Sequence, residues 1–375
     1  MLRVDRNPFW ATAVLIMTFI FLAGGTILAA GAGADEQKTA EQTFKNIQAL
    51  KGLPDSQIPA IMGYMQAAIG ARGCDSCHVR SGDGPPDYEK DDKQMKQTSR
   101  KMIQMVVDIN KASFDGRPQI TCWTCHQGHE RPVAVPPLPL SPANAEFQPP
   151  RPGGTAPVPE QILDKYIQAV GGKDTAAKFN SLVLSGSQVG QNGTTMPVEI
   201  YRKAPGKVLS TITSPQQGAF SQGFDGTSGW TQNQRGIRDV RPGETARLTD
   251  QEGIYDVIKI QEPFPRMRAG GREKIGDRET IVLRGQTPDN KMIRLSFDAE
   301  TGLLLRKVIL TPTMIGTIPE QYDFEDYRDV DGAKLAYTIR LSGLDGRFSW
   351  TRKFKEIKHD QPIDDGRFAK PAANK

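Results

Sequence analysis

Cys74-Asp75-Ser76-Cys77-His78 and Cys122-Trp123-Thr124-Cys125-His126 constrain this chain more than any other feature. Both read C-x-x-C-H, and together they use all four cysteines of the 375 residues. Two residues between the thiols let one short turn present both sulfurs to the vinyl groups of a haem. The next residue then brings an imidazole to the iron. The pattern predicts two covalently attached c-type haems. Cys74, Cys77, Cys122 and Cys125 would tether them, and His78 and His126 would be the proximal ligands. Zinc, a redox dithiol and structural disulfides are the other uses of paired cysteines. The stretch between Cys77 and Cys122 is long for a zinc ribbon, and neither zinc nor a dithiol explains a His directly after both second cysteines.

The length suits two domains, and 37% apolar with 24% charged residues suits globular folding. A net charge of +5 announces no strong electrostatic partner, and no Lys/Arg cluster interleaved with aromatics speaks for nucleic acid. Arg3 and Arg6 precede an apolar run from Phe9 to Ala30, followed by Ala32-Gly33-Ala34. Residues 1–34 therefore read as a signal peptide with an A-x-A cleavage site or as a retained membrane anchor. Either predicts a periplasmic location, free or anchored to the cytoplasmic membrane.

Helical periodicity runs through Phe44, Ile47 and Leu50, predicting a helix over 37–52. Asp55 or Ser56 caps a second helix with Ile58, Ile61, Met62, Met65 and Ile69 on one stripe. A third is expected from about Asp92 to Ser113. Helix, turn and C-x-x-C-H thus occur twice, with first cysteines at 74 and 122, as an internal repeat. Residues 131–160 read as a Pro-rich linker, or alternatively a strap, with ten prolines from Pro132 to Pro159. A helix is expected over Gln161–Val170. Short alternating runs follow at Val183, Val198, Val208, Ile281 and Ile293, with turns at Asn192-Gly193, Asp225-Gly226, Asp331-Gly332, Asp345-Gly346 and Asp298–Gly302. A helical interruption fits Glu244 to Gln261. The predicted fold class is multidomain α + β. A small helical dihaem cytochrome c domain (35–130) precedes the linker and a curved antiparallel β-sheet or half-barrel domain (161–375).

The four histidines are His78, His126, His129 and His359. Two serve as proximal ligands, His129 is too close to His126 to reach the opposite haem face, and His359 lies in the sheet region as a lone, surface-type residue. Methionine is then the expected sixth ligand, which raises a haem potential relative to a second His. Met62 or Met65 precedes the first motif and Met102 or Met105 the second. A Met on such a stripe is otherwise core filler. Gly63 beside Met62 would let a flat porphyrin approach. Spacing alone leaves the choice open.

Ile61-Met-Gly-Tyr-Met-Gln-Ala-Ala-Ile-Gly70, Arg100-Lys-Met-Ile-Gln-Met105, Ile109-Asn-Lys111 and Thr121-Cys-Trp-Thr-Cys-His-Gln-Gly128 resemble the photosynthetic reaction-centre cytochrome c subunit family over about residues 37–135. Each haem unit of that family is a helix with an axial Met, a turn and C-x-x-C-H. The resemblance implies Met62 and Met102 as the distal ligands, leaving Met65 and Met105 to packing. This chain has two motifs where the family subunit carries four haems, and no His stands in Ala112-Ser-Phe-Asp-Gly116. Phe224-Asp-Gly-Thr-Ser-Gly-Trp230 and Phe297-Asp-Ala-Glu-Thr-Gly-Leu303 more weakly resemble lipoprotein-carrier half-barrels, which implies lipid at the sheet domain. A docking or spacer role is the plainer expectation.

The expected function is an exported dihaem electron-transfer relay with no catalytic residues. Its partners would be redox proteins, either a membrane oxidoreductase or a soluble cytochrome. Arg72, Arg80, Arg100 and Lys101 are candidates to pair with haem propionates. The competing readings are a dihaem peroxidase or oxidase with one open iron, and a lipid-binding module with the haems as sensors.

Overall fold

The computed structural model describes residues 38–82, 84–132, 158–190, 193–241, 244–245, 248, 266–287, 291–344 and 349–372. The apolar N-terminal run with its A-x-A site, most of the Pro-rich segment, most of the helical interruption after Glu244 and the Asp345-Gly346 turn lie outside these residues. No helix among the described residues is long and apolar enough to cross a membrane.

The N-terminal part is helical. Helix α1 is only Ala40–Thr43, followed by α2 at Ile58–Ala68, α3 at Gln94–Ser113 and α4 at Cys122–His126. The helix expected over 37–52 is thus cut to four residues. Its apolar period is real, because Leu50 is buried and Phe44 and Ile47 pack on the same cluster. Asn46 breaks the helix at φ 60°, held there by bonds from its amide to Asp91 (2.8 Å) and the Glu89 carbonyl. Asp55 does not cap α2. It opens a 3-10 turn, Asp55–Gln57, and its carboxylate accepts from Thr43 Oγ1 at 2.8 Å.

The C-terminal part begins with α5 (Pro159–Ala169) and α6 (Lys173–Lys178). Strands β1 (Ser181–Gly190), β2 (Thr195–Lys203), β3 (Lys207–Ser214), β4 (Gly218–Phe224), β5 (Gly229–Asn233) and β6 (Gly236–Asp239) form one antiparallel meander. Strands β7 (Arg268–Ile275), β8 (Arg278–Gln286), β9 (Met292–Asp298), β10 (Leu304–Thr313), β11 (Gly316–Val330), β12 (Ala333–Gly343) and β13 (Trp350–His359) form a second. Among the described residues, pairing of β1 with β13 joins them into one open 13-stranded sheet edged by β6 and β7. The turns expected at Asp225-Gly226, Asp298–Gly302 and Asp331-Gly332 all link neighbouring strands. Asp331 and Gly332 both have positive φ, which suits a two-residue hairpin.

Period-two alternation aims Leu182, Leu184, Val198, Ile200, Leu283, Leu295 and Phe297 into one core. Helix α5 lays Ile162, Leu163 and Tyr166 into the same core, so the chain itself covers that part of the sheet face. His359 departs from the surface expectation. It is buried, its ring stacks on Phe179 with centroids 3.6 Å apart, and Nδ1 lies 3.1 Å from Asp331.

The two parts share a second core. The tip of the β10–β11 hairpin inserts Ile315, fully buried, among Ile58, Ile61, Tyr64 and Ile103 of α2 and α3. Gly316 is required at this contact, because a Cβ there would stand 2.6 Å from the Tyr64 hydroxyl. Arg241 adds an ion pair to buried Asp55 at 3.3 Å.

Candidate functional site

The first C-x-x-C-H folds as a 3-10 turn, Cys74–Ser76, after α2 and a glycine break at Gly70 with φ 63°. It opens onto an apolar cleft of about 650 Å³. Met62, Met65, Cys74, Cys77 and His78 line this cleft together with Phe44, Ile47, Leu50, Ile58, Ile69 and Ile103. The motif and both candidate axial methionines therefore face one cavity, with apolar side chains around them. Both Met62 and Met65 are half-buried, as expected of residues beside a groove.

Polar groups close one side of the cleft. Lys96 and Arg100 of α3 line it, and Asp91 ties both down at 3.0 and 2.8 Å. Hydrogen bonds from Arg100 and Lys96 hold the Asp91 carboxyl well below the usual carboxylate range. Lys96 also donates to the Tyr88 and Lys90 carbonyls at 2.9 and 2.7 Å, which fastens the loop that carries Tyr88. The Tyr88 ring meets His78 edge-on, with centroids 5.0 Å apart. Among the described residues His78 Nδ1 is buried without a hydrogen-bond partner. Burial, then the charges of Lys96 and Arg100, push the His78 pKa down and keep the imidazole neutral, the form that ligates metal. Burial pushes the Cys77 thiol up.

The second motif is itself a helix, α4, and its ends are well built. Thr121 N–H donates to Thr124 Oγ1 at 3.0 Å while Thr124 N–H donates to Thr121 Oγ1 at 3.3 Å, a reciprocal cap. Gln127, at φ 48°, ends the helix in the left-handed region. Asn110 of α3 sets the approach. Its Oδ1 accepts from Gln119 and Ile120 N–H, and its Nδ2 donates to the Ile120 carbonyl at 2.7 Å. Gly128 N–H donates to the Ala68 carbonyl at 2.9 Å, and Gly70 makes this approach feasible because a Cβ would stand 2.1 Å from the Gly128 oxygen.

His126 Nδ1 lies 2.9 Å from the His129 carbonyl. Donation to that carbonyl fixes the proton on Nδ1 and leaves the Nε2 lone pair for a metal. Met102, Met105 and Ile109 form an exposed apolar stripe on α3 at i, i+3 and i+7, and Trp123 is also exposed. Exposed large apolar side chains of this kind are what a surface that receives an apolar group presents.

Among the described residues no three of His, Cys, Asp and Glu converge as a metal site, so the zinc alternative is not built. No two of the four cysteines are joined to each other in this structure. Of the propionate candidates, only Arg100 lines the cleft, while Arg72, Arg80 and Lys101 are exposed. Lys96, Tyr88, Asn110 and the His129 carbonyl are additions that the motif reading did not single out.

Two cysteine-paired turns, each followed by His and each seated against a helix that bears Met, resemble the haem-attachment units of c-type cytochromes. Residues 26–145 match the family model of the photosynthetic reaction centre cytochrome C subunit, in accord with the resemblance read from the motifs. The photosynthetic reaction center cytochrome c subunit of Thermochromatium tepidum is 29% identical over 96 residues, 25% of this chain and 22% of that protein. The chain thus matches under a quarter of that relative's length. Solved structures similar to the larger part of the chain include a DUF1329 family protein from Desulfovibrio piger (13% identity, TM-score 0.42, 57% of this chain and 98% of that one). A LolA superfamily protein from Nitrosomonas europaea is 11% identical with TM-score 0.38, covering 57% of this chain and 99% of that one.

Proposed function

We propose that this protein is an exported dihaem c-type cytochrome that relays single electrons between redox proteins on the periplasmic side of the membrane. In this reading Cys74 and Cys77 hold one haem and Cys122 and Cys125 the other. His78 and His126 are proximal ligands, and Met62 and Met102 are distal. The observation that carries it is the cleft wall shared by Met62, Cys74, Cys77 and His78. The bound haems supply reversible one-electron chemistry. The chain's own residues orient the imidazoles, keep His78 neutral and wrap the first site in apolar surface. With His78 and Met62 at one haem and His126 and Met102 at the other, a small substrate would find no open ligand position, which would favour a relay over a peroxidase or oxidase.

The test is the visible and near-red spectrum of the exported protein with its covalent haems, beside Met62→Ala and Met102→Ala. Two low-spin haems with the iron–thioether band, each variant losing part of that band, are the expected result. A resting high-spin fraction that binds carbon monoxide without treatment would sink the relay reading and bring the open-iron enzyme forward. Unchanged spectra in both variants would remove Met62 and Met102 as ligands.

A further inference from the structure

The two proximal histidines are held differently, and this inference rests on the two-haem reading above. His126 Nδ1 lies within hydrogen-bond distance of the His129 carbonyl, 2.9 Å away. Among the described residues His78 Nδ1 is buried with no hydrogen-bond partner, and the edge of Tyr88 lies against the ring. A hydrogen bond from Nδ1–H to a carbonyl makes the imidazole a more basic ligand, and a more basic ligand favours the ferric over the ferrous ion. That effect acts at His126 and not at His78.

Two further differences act in the same direction. The His78 site opens into a half-open, mostly apolar cleft, where low polarity disfavours the more highly charged ferric state. The second motif is more open, with Trp123 and Cys125 both exposed. The cleft is also lined by three cations, Lys45, Lys96 and Arg100; Asp91 binds the last two and Glu89 lies 3.2 Å from Lys45, which leaves one positive charge in excess. The surplus positive charge repels ferric iron more than ferrous.

We propose that His78 and its surroundings define the higher-potential centre and His126 with the His129 carbonyl the lower, so that a single electron on the protein resides at the first motif. The exchange is one electron between two irons and needs no further reactant. A tenfold preference for the first motif corresponds to about 59 mV for a one-electron couple.

The experiment is a spectropotentiometric titration of the full-length, doubly haem-loaded protein, its loading first measured by mass. Two midpoints separated by more than that tenfold preference are expected. Lys96→Gln removes a cleft charge and should lower the upper midpoint while the lower one stays. Because Lys96 also fastens the Tyr88 loop, Met102→His provides a second assignment away from that loop. It replaces a thioether by an imidazole and should lower the lower midpoint. Coincident midpoints, or Lys96→Gln moving the lower midpoint, or Met102→His moving the upper, would overturn the inference. A mass increment for one haem alone would instead overturn the two-haem reading on which it stands.

Discussion

Ile315→Ala tests whether the sheet completes the core of the haem-motif region. Ile315 sits at the tip of the β10–β11 hairpin, fully buried, and packs with Ile58, Ile61, Tyr64 and Ile103. The substitution removes three carbons, worth about 2.4 kcal/mol at roughly 0.8 kcal/mol each. A cavity term raises the expected loss to about 3 kcal/mol, within the roughly 2–5 kcal/mol seen for such truncations. The assay is denaturant unfolding of the haem-loaded protein, followed at once by far-ultraviolet dichroism for the sheet and by the Soret band for the haem region. If the hairpin is shared core, both transitions move to lower denaturant together. A Soret midpoint that stays put while the dichroism midpoint shifts would refute the reasoning, as would a loss below about 0.5 kcal/mol, the scale of an uneventful surface change.

Gly316→Ala places a Cβ 2.6 Å from the Tyr64 hydroxyl and should cost about 1–3 kcal/mol by overpacking in the same two-probe assay. Gly70→Ala forces apart the contact with the Gly128 carbonyl, and should lower covalent haem loading at the second motif more than at the first, read by mass after proteolysis. Trp230→Phe deletes the buried bond from Nε1–H to the Phe368 carbonyl (2.8 Å), with an expected loss of about 1–2 kcal/mol in thermal unfolding. Burial pushes the Glu244 carboxyl up, but hydrogen bonds from Arg241 and Arg238 outweigh it and hold its pKa at about 2. A depressed folded value means that Glu244 stabilises the fold above its ordinary 4.5 and that this contribution fades as pH falls toward 2, so Glu244→Gln should flatten stability over that window.

Much of the fold could be read from local signals. Helices α2, α3 and α5 carry unbroken apolar periods, and the β9–β10 turn carries Asp298–Gly302, where Asp298 Oδ1 accepts from the Glu300 and Thr301 N–H groups. The C-x-x-C-H motifs were legible for the same reason, since each is confined to five consecutive residues. What failed depends on partners far along the chain. The apolar period over 37–52 is compatible with a helix, and only the Asn46–Asp91 bond, bridging 45 residues, shows why the chain turns there. His359 reads as a solitary surface histidine until the fold brings Phe179 and Asp331 against it. The orientation of His126 comes from a backbone carbonyl, which leaves no residue-type signal at position 129. The Ile315 contact joins α2 to a hairpin some 250 residues later, beyond the reach of any periodicity.

Helix α2 is where these long-range contacts converge. One of its faces bears Met62 and Met65 and lines the cleft of the first motif. Buried Ile61 and Tyr64 receive the β10–β11 hairpin, and Ala68 near its C-terminal end accepts from Gly128 just beyond the second motif. At its start, Asp55 in the preceding turn is paired with Arg241 of the sheet part. A helix fixed at its start, middle and end can hold a metal-ligating side chain to the sub-ångström tolerance such sites need, which a free helix beside a loop would not. The sheet then has a physical role that requires no ligand of its own. Without it, Ile58, Ile61, Tyr64 and Ile103 would lose the side chains of Ile315 and Ile318 that pack on them and present a new apolar surface to water. Residues 35–130 expressed alone should therefore load haem poorly or self-associate, even though all four cysteines and every proposed iron ligand lie within them.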